Sequence, residues 1–469
     1  MRGGSEAGGD PGSPRAGRWG RPADLLILLA GIALAVAAVS PIVVRWLGNP
    51  PDQRLVDLEV YRDGGAAALR GAPLYDVLTQ PPQFLPFTYP PFAALLAVPF
   101  TLLPWQASQW GWTLLLYGAL LIVIGYSFRD LIRRAGRWAP LAMGVLAGAG
   151  AWLVPVFDQV RFGQVGLILM ALCLADCCTR SPRWPRGLLI GLAIAIKLVP
   201  GVFLIYFLIT GRRDAARNAV FTAAAASLGA FAVLPSDSVD YWFGALLEGG
   251  DRTGAVNGTT NQAINGIVAR ILPEGPFRSL VWLILALLMA YYGFKLARRA
   301  TLAADRLAGK DGRAGTGRAG TGRAEGTDYL AAADRLSGPD AYSLLLAGTA
   351  IVGLLSVLLS PVGWIHHLVW MIAVIGALVG DGRDTRRCLL GAGVWLYFLF
   401  PLPWWGTRLL GPDHGLISMF IGRVVQDLFG AAAILLILVL GNWLVNRLAA
   451  ADDREDAGRR GAEVGTLAP

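Results

Sequence analysis

An all-α polytopic membrane protein is the fold class that three observations predict. Of 469 residues, 55% are hydrophobic and 16% charged, a balance far more apolar than a soluble chain of this length carries. Apolar stretches long enough to cross ~30 Å of hydrocarbon as helices recur from Leu25 to Val445, so the membrane domain is nearly the whole chain. Lys and Arg gather in short clusters between those stretches, where they set orientation. The formal charge of +9 is therefore read as topology, and no nucleic-acid partner is expected.

The elements follow in order. Met1 to Pro22 (1–22) is rich in Gly, Pro, Ser and Arg and is expected to be a disordered cytoplasmic tail, followed by a membrane domain over 23–447. The first apolar stretch could mimic a signal peptide, but cleavage there would leave the rest polytopic. Leu25 to Leu47 runs outward and delivers a first outer loop, 48–104. Within that loop Phe92 to Leu103 is about 12 residues, roughly 18 Å of helix, too short to span. Pro90 and Pro91 suit a helix start, since proline in the first turn gives up only an unpaired amide. If this run lies at the interface or re-enters, Trp105 to Phe128 goes inward and Arg129, Arg133, Arg134 and Arg137 land in the cytoplasm.

Ala139 to Pro155 returns outward, an outer turn holds Asp158, Arg161 and Gln164, and Val165 to Cys178 goes in toward Arg180, Arg183 and Arg186. Gly187 to Thr210 has arginines at both ends and is interrupted by Lys197 and Pro200. That charge pattern predicts a broken hairpin of two short helices with Lys197 near its tip. Val220 to Leu234 goes out, 235–277 forms a second long outer loop, and Leu280 to Leu296 returns. GRAGT repeats lie in a low-complexity cytoplasmic loop, 300–340, to which no chemistry is assigned. Ala341 to Leu359 goes out, SPVGWIHH makes an outer turn, and Leu368 to Val379 comes in. Leu389 to Phe400 goes out, Pro401 to Gly415 is an outer loop, and a last span near Val425 to Val445 precedes a disordered cytoplasmic tail, 448–469. With the hairpin counted as two, about twelve crossings result, both termini cytoplasmic.

Once the spans are drawn, unusual polar residues collect on the outer side. Asp57, in LVDLEVYRDG, carries a carboxylate about ten residues beyond the first span. Partly desolvated there, it suits a general base toward a hydroxyl, against the alternative of a solvated loop acid. His366 and His367 could neutralise or hydrogen-bond a phosphate, though adjacent residues do not share a helix face and so do not chelate one ion together. Lys197, in AIAIKLVPG, has apolar neighbours and needs an anion or a route to water. Arg270, after NQAINGIVA, offers a second cation in fork geometry. Cys173, Cys177, Cys178 and Cys388 lack paired ligand spacing and read as small core residues. There is no Walker loop, dinucleotide fingerprint, GxSxG elbow or HExxH motif, and no soluble segment large enough for a nucleotide-binding domain. A donor already dissolved in the membrane would explain both absences.

DLEVYRDGGAAALRGAPLYD, LPFTYPPFAALLAVPFTLLP, FGQVGLILMAL, AIAIKLVPG, NQAINGIVAR and SPVGWIHHLVW, in that order, resemble glycosyltransferase family 87. These are the polyprenyl-phosphate-mannose-dependent α-1,2-mannosyltransferases of mycobacteria and related actinobacteria, of the GT-C class. The resemblance implies a GT-C fold in the plasma membrane with an extracytoplasmic active site and interfacial helices in the first outer loop. It implies polyprenyl-phosphate-mannose as donor, and a phosphatidylinositol mannoside or lipomannan or lipoarabinomannan backbone as glycolipid acceptor. The family's first-loop aspartate falls on Asp57 as catalytic base, and its histidine pair on His366 and His367 in a site for donor phosphate and sugar. Lys197 and Arg270 would offset charge on the departing phosphate. Glu59, Tyr61, Tyr89, Arg161, Gln164, Asn261, Gln262 and Asn265 are the remaining candidates for the substrate cleft, with Tyr89 equally suited to anchoring a helix at the interface. No cofactor is expected, and no metal. The GRAGT insertion departs from the family's compact loop on the cytoplasmic side. The competing readings are a GT-C transferase using another polyprenyl-phosphate sugar such as arabinofuranose, and a polytopic lipid or solute transporter, against which stands the lack of internal repeats of membrane helices.

Overall fold

The computed structural model describes residues 22–50, 53–179, 182–246, 254–315, 339–411 and 414–451. The two expected tails, apart from their innermost residues, and the GRAGT repeats beyond Gly315 lie outside these. The described residues form helices joined by loops, with isolated bridges at Leu78–Pro86 and Asn261–Trp364. Among the described residues, six helices are long and apolar enough to cross a membrane, or eight if two bent pairs each count as one span.

The first span is α1 (Pro22–Leu47). The first loop contains α2 (Val56–Arg70) and α3 (Pro91–Thr101). With 11 residues, α3 is only about 16 Å long and falls short of a span, as its sequence predicts. It is held from α2: Arg62 donates to the carbonyls of Phe100 and Leu103, 3.1 and 3.0 Å away, which satisfies groups the ending helix leaves free. Gly65 lets the two helices approach until a β-carbon there would touch the backbone of Ala97 and Val98.

Next come α4 (Trp105–Ser127), α5 (Arg129–Arg134) and α6 (Ala139–Ala151). A 78° bend then leads into α7 (Val154–Phe162), with Pro155 in its first turn and Gly163 capping it at φ +72°. The expected outer turn around Asp158 and Arg161 is thus a nine-residue helix, too short to show a periodic pattern. α8 (Gly166–Cys178) follows.

Between α8 and α11 (Arg213–Val233) the chain forms α9 (Leu188–Ile196) and α10 (Val202–Ile209), separated by Lys197 in extended backbone and a turn of 3-10 helix over Val199–Gly201. Gly187 packs on Ala215 and Ala219, and Gly191 on Ala219 and Thr222, so α9 runs parallel to the start of α11. The Arg212 amide bonds the Phe207 carbonyl at 2.8 Å, so α10 returns to that same start. The segment is therefore a hairpin of two short helices with Lys197 at its far end, as the arginines flanking it predict.

The second long loop carries α12 (Pro235–Asp240) and α13 (Ile264–Ile271). α14 (Pro276–Gly315) continues as helix well into the segment expected to be loop, with Thr301, Ala303, Ala304 and Ala308 buried. α15 (Pro339–Leu358), α16 (Met371–Val379) and α17 (Thr385–Leu399) follow. Beyond a 43° bend, the expected outer loop after Pro401 contains α18 (Leu402–Arg408), and α19 (Leu416–Gln426) and α20 (Leu428–Leu438) close the bundle.

The bundle has two chemically different ends. At one, Arg129 lies 3.4 Å over the Tyr342 ring, Arg134 donates to the Asp381 carbonyl, and Arg387 pairs with Asp340 and Arg447 with Asp384. Arg129, Arg134 and Arg387, from two of the clusters expected on one membrane face, thus share one end of the molecule with Arg447. α1 runs parallel to α6, with Gly31 against Pro140 and Gly144 and Ala38 against Gly148. Its Pro22 end therefore lies at that basic end, as Arg447 near the last described residue does. α4, α8, α15 and α16 connect this end to the other, where Asp57, Gln164, Lys197 and the histidine pair lie.

Candidate active site

The site starts from a locked turn. Leu55, the residue before the first turn of α2, has φ 46° and ψ 47°, a left-handed conformation that costs a non-glycine residue energy. Its fully buried side chain and its amide, which donates to the Arg161 carbonyl at 3.2 Å, hold it there. Gly163 brings the end of α7 against Leu55 and Leu58. This contact fixes the direction in which Asp57, in the first turn of α2, presents its carboxylate.

Asp57 is half-buried. Desolvation lifts its carboxyl to about 6, against the opposing pull of a hydrogen bond from Gln164 and the nearby Lys197 charge. Gln164 is itself oriented: the Tyr61 hydroxyl donates to its Oε1 at 3.3 Å, which turns the amide NH₂ toward the carboxylate. The Tyr61 hydroxyl lies 3.1 Å from that of Tyr89 and receives the Val165 amide at 3.4 Å, and the two tyrosine rings meet edge-on at 5.1 Å. Tyr75 donates to the Tyr89 carbonyl at 2.9 Å, which anchors the TYPP segment at the mouth of α3.

Lys197, at the hairpin tip, places Nζ 3.3 Å from His367 Nε2 and 5.1 Å from the centre of the Tyr89 ring. The Trp364 amide donates to His367 Nδ1 at 3.2 Å, so a neutral His367 carries its proton on Nε2. An ammonium and an N–H then face one space, an arrangement that suits an anionic oxygen. His366 is 6% exposed, its ring lies 4.6 Å from that of His367, and its Nε2 has no hydrogen-bond partner among the described residues. Gln159 holds the backbone in place by donating to the His366 carbonyl at 2.7 Å.

Asp57, Tyr61, Tyr89, Gln164, Lys197, His366 and His367 thus come together from separate segments. Other candidates are engaged elsewhere. Arg270 is 8% exposed and donates to Asp427 and to the Gly258 carbonyl, each at 2.7 Å, so its charge is already balanced and none of its partners belongs to the Asp57 cluster. Asn261 receives the Ala263 and Gly363 amides and donates to the Val256 carbonyl. Gln262 donates to the Thr259 and Gln426 carbonyls and receives the Gly430 amide. Asn265 donates to the Pro361 carbonyl. Asn261 and Asn265 tie the second outer loop to the SPVGWIHH turn and so set the position of the histidines, while Gln262 and Arg270 tie it to residues 426–430. Glu59 receives the Gln80 amide at 3.3 Å, and Arg161 stacks on Trp46 and Phe162.

Sequence reasoning missed Asp176, whose carboxylate receives the Gly187 and Ile190 amides and the Trp184 indole N–H, and so caps the start of α9. Its signal was a lone acid in the apolar run LILMALCLADCC. Gln159, beside Asp158 in VFDQVRF, carried no comparable signal. Among the described residues, no group of three or more His, Cys, Asp or Glu side chains stands close enough to hold a metal ion.

No solved structure matches the chain. The model of glycosyltransferase family 87 matches residues 87–313. A polyprenol-phosphate-mannose-dependent alpha-(1-2)-phosphatidylinositol mannoside mannosyltransferase of Mycolicibacterium smegmatis is 36% identical over 73% of this chain and 73% of its own length. Its counterpart in Mycobacterium tuberculosis is 34% identical over 81% and 82%. A phosphatidylinositol pentamannoside mannosyltransferase of the same dependence from M. smegmatis is 31% identical over 80% and 82%. With relatives this similar over most of both chains, and a bundle that gathers its conspicuous polar residues at one end, the protein belongs to glycosyltransferase family 87.

Proposed function

We propose that this protein transfers mannose from polyprenyl-phosphate-mannose to a hydroxyl of a phosphatidylinositol mannoside, forming an α-1,2 linkage on the outer face of the plasma membrane. The observation that carries the reading is the meeting of the Asp57 carboxylate with the Lys197–His367 donor pair in one cluster. A base and an anion receptor side by side are what displacement at a sugar phosphate needs, and the relatives are named for that donor and acceptor class.

In the proposed step the acceptor oxygen attacks the anomeric carbon from the face opposite the phosphate. The new carbon–oxygen bond forms as the bond to phosphate breaks, so a β-linked mannosyl group becomes α-linked. Asp57 takes the hydroxyl proton, oriented by Gln164. Polyprenyl phosphate leaves with the bond's electron pair, and Lys197 with the His367 N–H offsets its charge. The step as written routes no charge through a metal or cofactor.

The two-ended distribution of charge supports a GT-C arrangement in which the arginine end and both termini are cytoplasmic and the Asp57 end is extracytoplasmic. In it the bent pairs, the hairpin and the shorter apolar helices complete about twelve crossings, and α3 lies along the outer leaflet. Incubating purified protein with polyprenyl-phosphate-mannose and either a phosphatidylinositol mannoside or a lipomannan tests the reading. An α-1,2-linked product on the former is expected. No transfer to either would overturn it, and transfer only to lipomannan would overturn the acceptor assignment.

A further inference from the structure

Beside Asp57, on the side formed by α1 and α7, lies a second group of cations that the proposed mechanism does not use. Arg45, in the last turn of α1, places its guanidinium carbon 5.0 Å from the centre of the Trp46 ring, and Arg161 of α7 places its own 5.2 Å from the same ring. Phe157 and Phe162 extend the aromatic surface, at 5.9 Å from Arg45 and 5.0 Å from Arg161. Neither arginine has an acidic side chain within ion-pair distance among the described residues, although buried Asp158 acts on Arg161 at longer range. A guanidinium stacked on a ring keeps its edge N–H groups free, so two such groups around one indole are preorganised to take an anion in fork geometry.

Two further observations point to a ligand. The Trp46 indole N–H is buried, in a residue 6% exposed, and has no hydrogen-bond partner among the described residues, which is costly unless something supplies an acceptor. Arg45 also sits at the end of its span away from the arginine end, where orientation signals place few cations. The shelf adjoins the base: the Arg161 carbonyl holds the Leu55 amide, two residues before Asp57.

We propose that Arg45 and Arg161 bind the phosphodiester of the anionic lipid acceptor, so that its glycan reaches Asp57 from the α7 side while the donor phosphate occupies the Lys197–His367 side. This rests on the mannosyltransfer reading above. The shelf makes the enzyme select acceptors by their lipid phosphodiester as well as by their sugar. The same chemistry would take a bulk anionic phospholipid, and the two sources are separable.

The test compares two acceptors of identical glycan with the full-length protein in neutral-lipid nanodiscs, one a phosphatidylinositol mannoside and the other a neutral alkyl mannoside. Wild type should favour the phosphodiester through KM. The Arg45→Gln/Arg161→Gln double variant should lose at least tenfold of that preference in kcat/KM, and Arg45→Lys/Arg161→Lys should retain part of it. An unchanged preference would overturn the proposal. Added phosphatidylglycerol that raises acceptor KM in wild type but not in the Gln variant would support a shelf for any lipid phosphodiester. If wild type transfers mannose to neither acceptor, the functional reading fails, and the shelf is then judged by cross-linking of a photoactivatable phosphatidylglycerol. Labelling near Trp46 that the Gln variant abolishes supports it, and equal labelling of both proteins overturns it.

Discussion

Replacing Asp57 by Asn should stabilise the protein while disabling it, and the size of the effect follows from burial. The carboxyl is lifted from 3.8 to about 6 by desolvation, and each step of one in pKa corresponds to about 1.4 kcal/mol. The ionised group would then cost about 3 kcal/mol at neutral pH, which water reaching a half-buried side chain reduces to about 1–2 kcal/mol. The sign depends on pH. Below about pH 4 the carboxyl is protonated whether the chain is folded or not, and the cost is absent. Between 4 and 6 only the unfolded carboxyl is ionised, so folded stability declines, and above 6 the full cost is present. Asp57→Asn should therefore match wild type near pH 4 and exceed it at pH 7.5, by about 1–3 °C in apparent unfolding temperature for a chain this long. Differential scanning fluorimetry in a mild detergent reads it. A variant no more stable at pH 7.5, or equally stabilised at both pH values, would refute the claim that the site holds its base at an energetic cost.

Three other outcomes are expected. Lys197→Met should raise the KM for donor, and the acid limb of the rate profile should move to higher pH, because without the ammonium the Asp57 carboxyl keeps its proton longer; titrating initial rates with pH and donor checks both. Arg270→Met should cost about 1–3 kcal/mol by leaving partly buried Asp427 without its partner, and should appear as lost yield and lowered unfolding temperature rather than as a selective change in donor KM. Gly187→Ala should destabilise by at least about 2 kcal/mol, since φ is +97° there and the new methyl meets the Ala215 carbonyl; unfolding temperature measures it.

What was legible in the sequence was governed by local rules. The apolar runs, the shortness of Phe92 to Leu103 and the arginines on both sides of Gly187 to Thr210 each act through the membrane's demands on one segment, so α3 and the hairpin could be placed without knowing their neighbours. Asp57 and Lys197 stood out because a charge beside apolar residues needs a partner, and His367 because two adjacent histidines open an apolar run; the structure supplies the partners to one another. Asn261, Gln262, Asn265 and Arg270 carried the same signal for another reason. Besides local backbone groups, their partners are backbone groups and an acid near positions 360 and 427, about 100 and 160 residues away in sequence, and no local pattern distinguishes an amide that holds a loop from one that holds a sugar. α7 was hidden by its nine residues, and the extension of α14 by a composition that reads as linker although alanines pack along it.

The most direct test of Asp57 as the base is the initial rate of mannose transfer from radiolabelled polyprenyl-phosphate-mannose to a phosphatidylinositol mannoside at pH 7.5, wild type against Asp57→Asn. Loss of the proton acceptor predicts a rate lower by about 100- to 10,000-fold in a variant that folds at least as well as wild type. Transfer by Asp57→Asn within tenfold of wild type would contradict it.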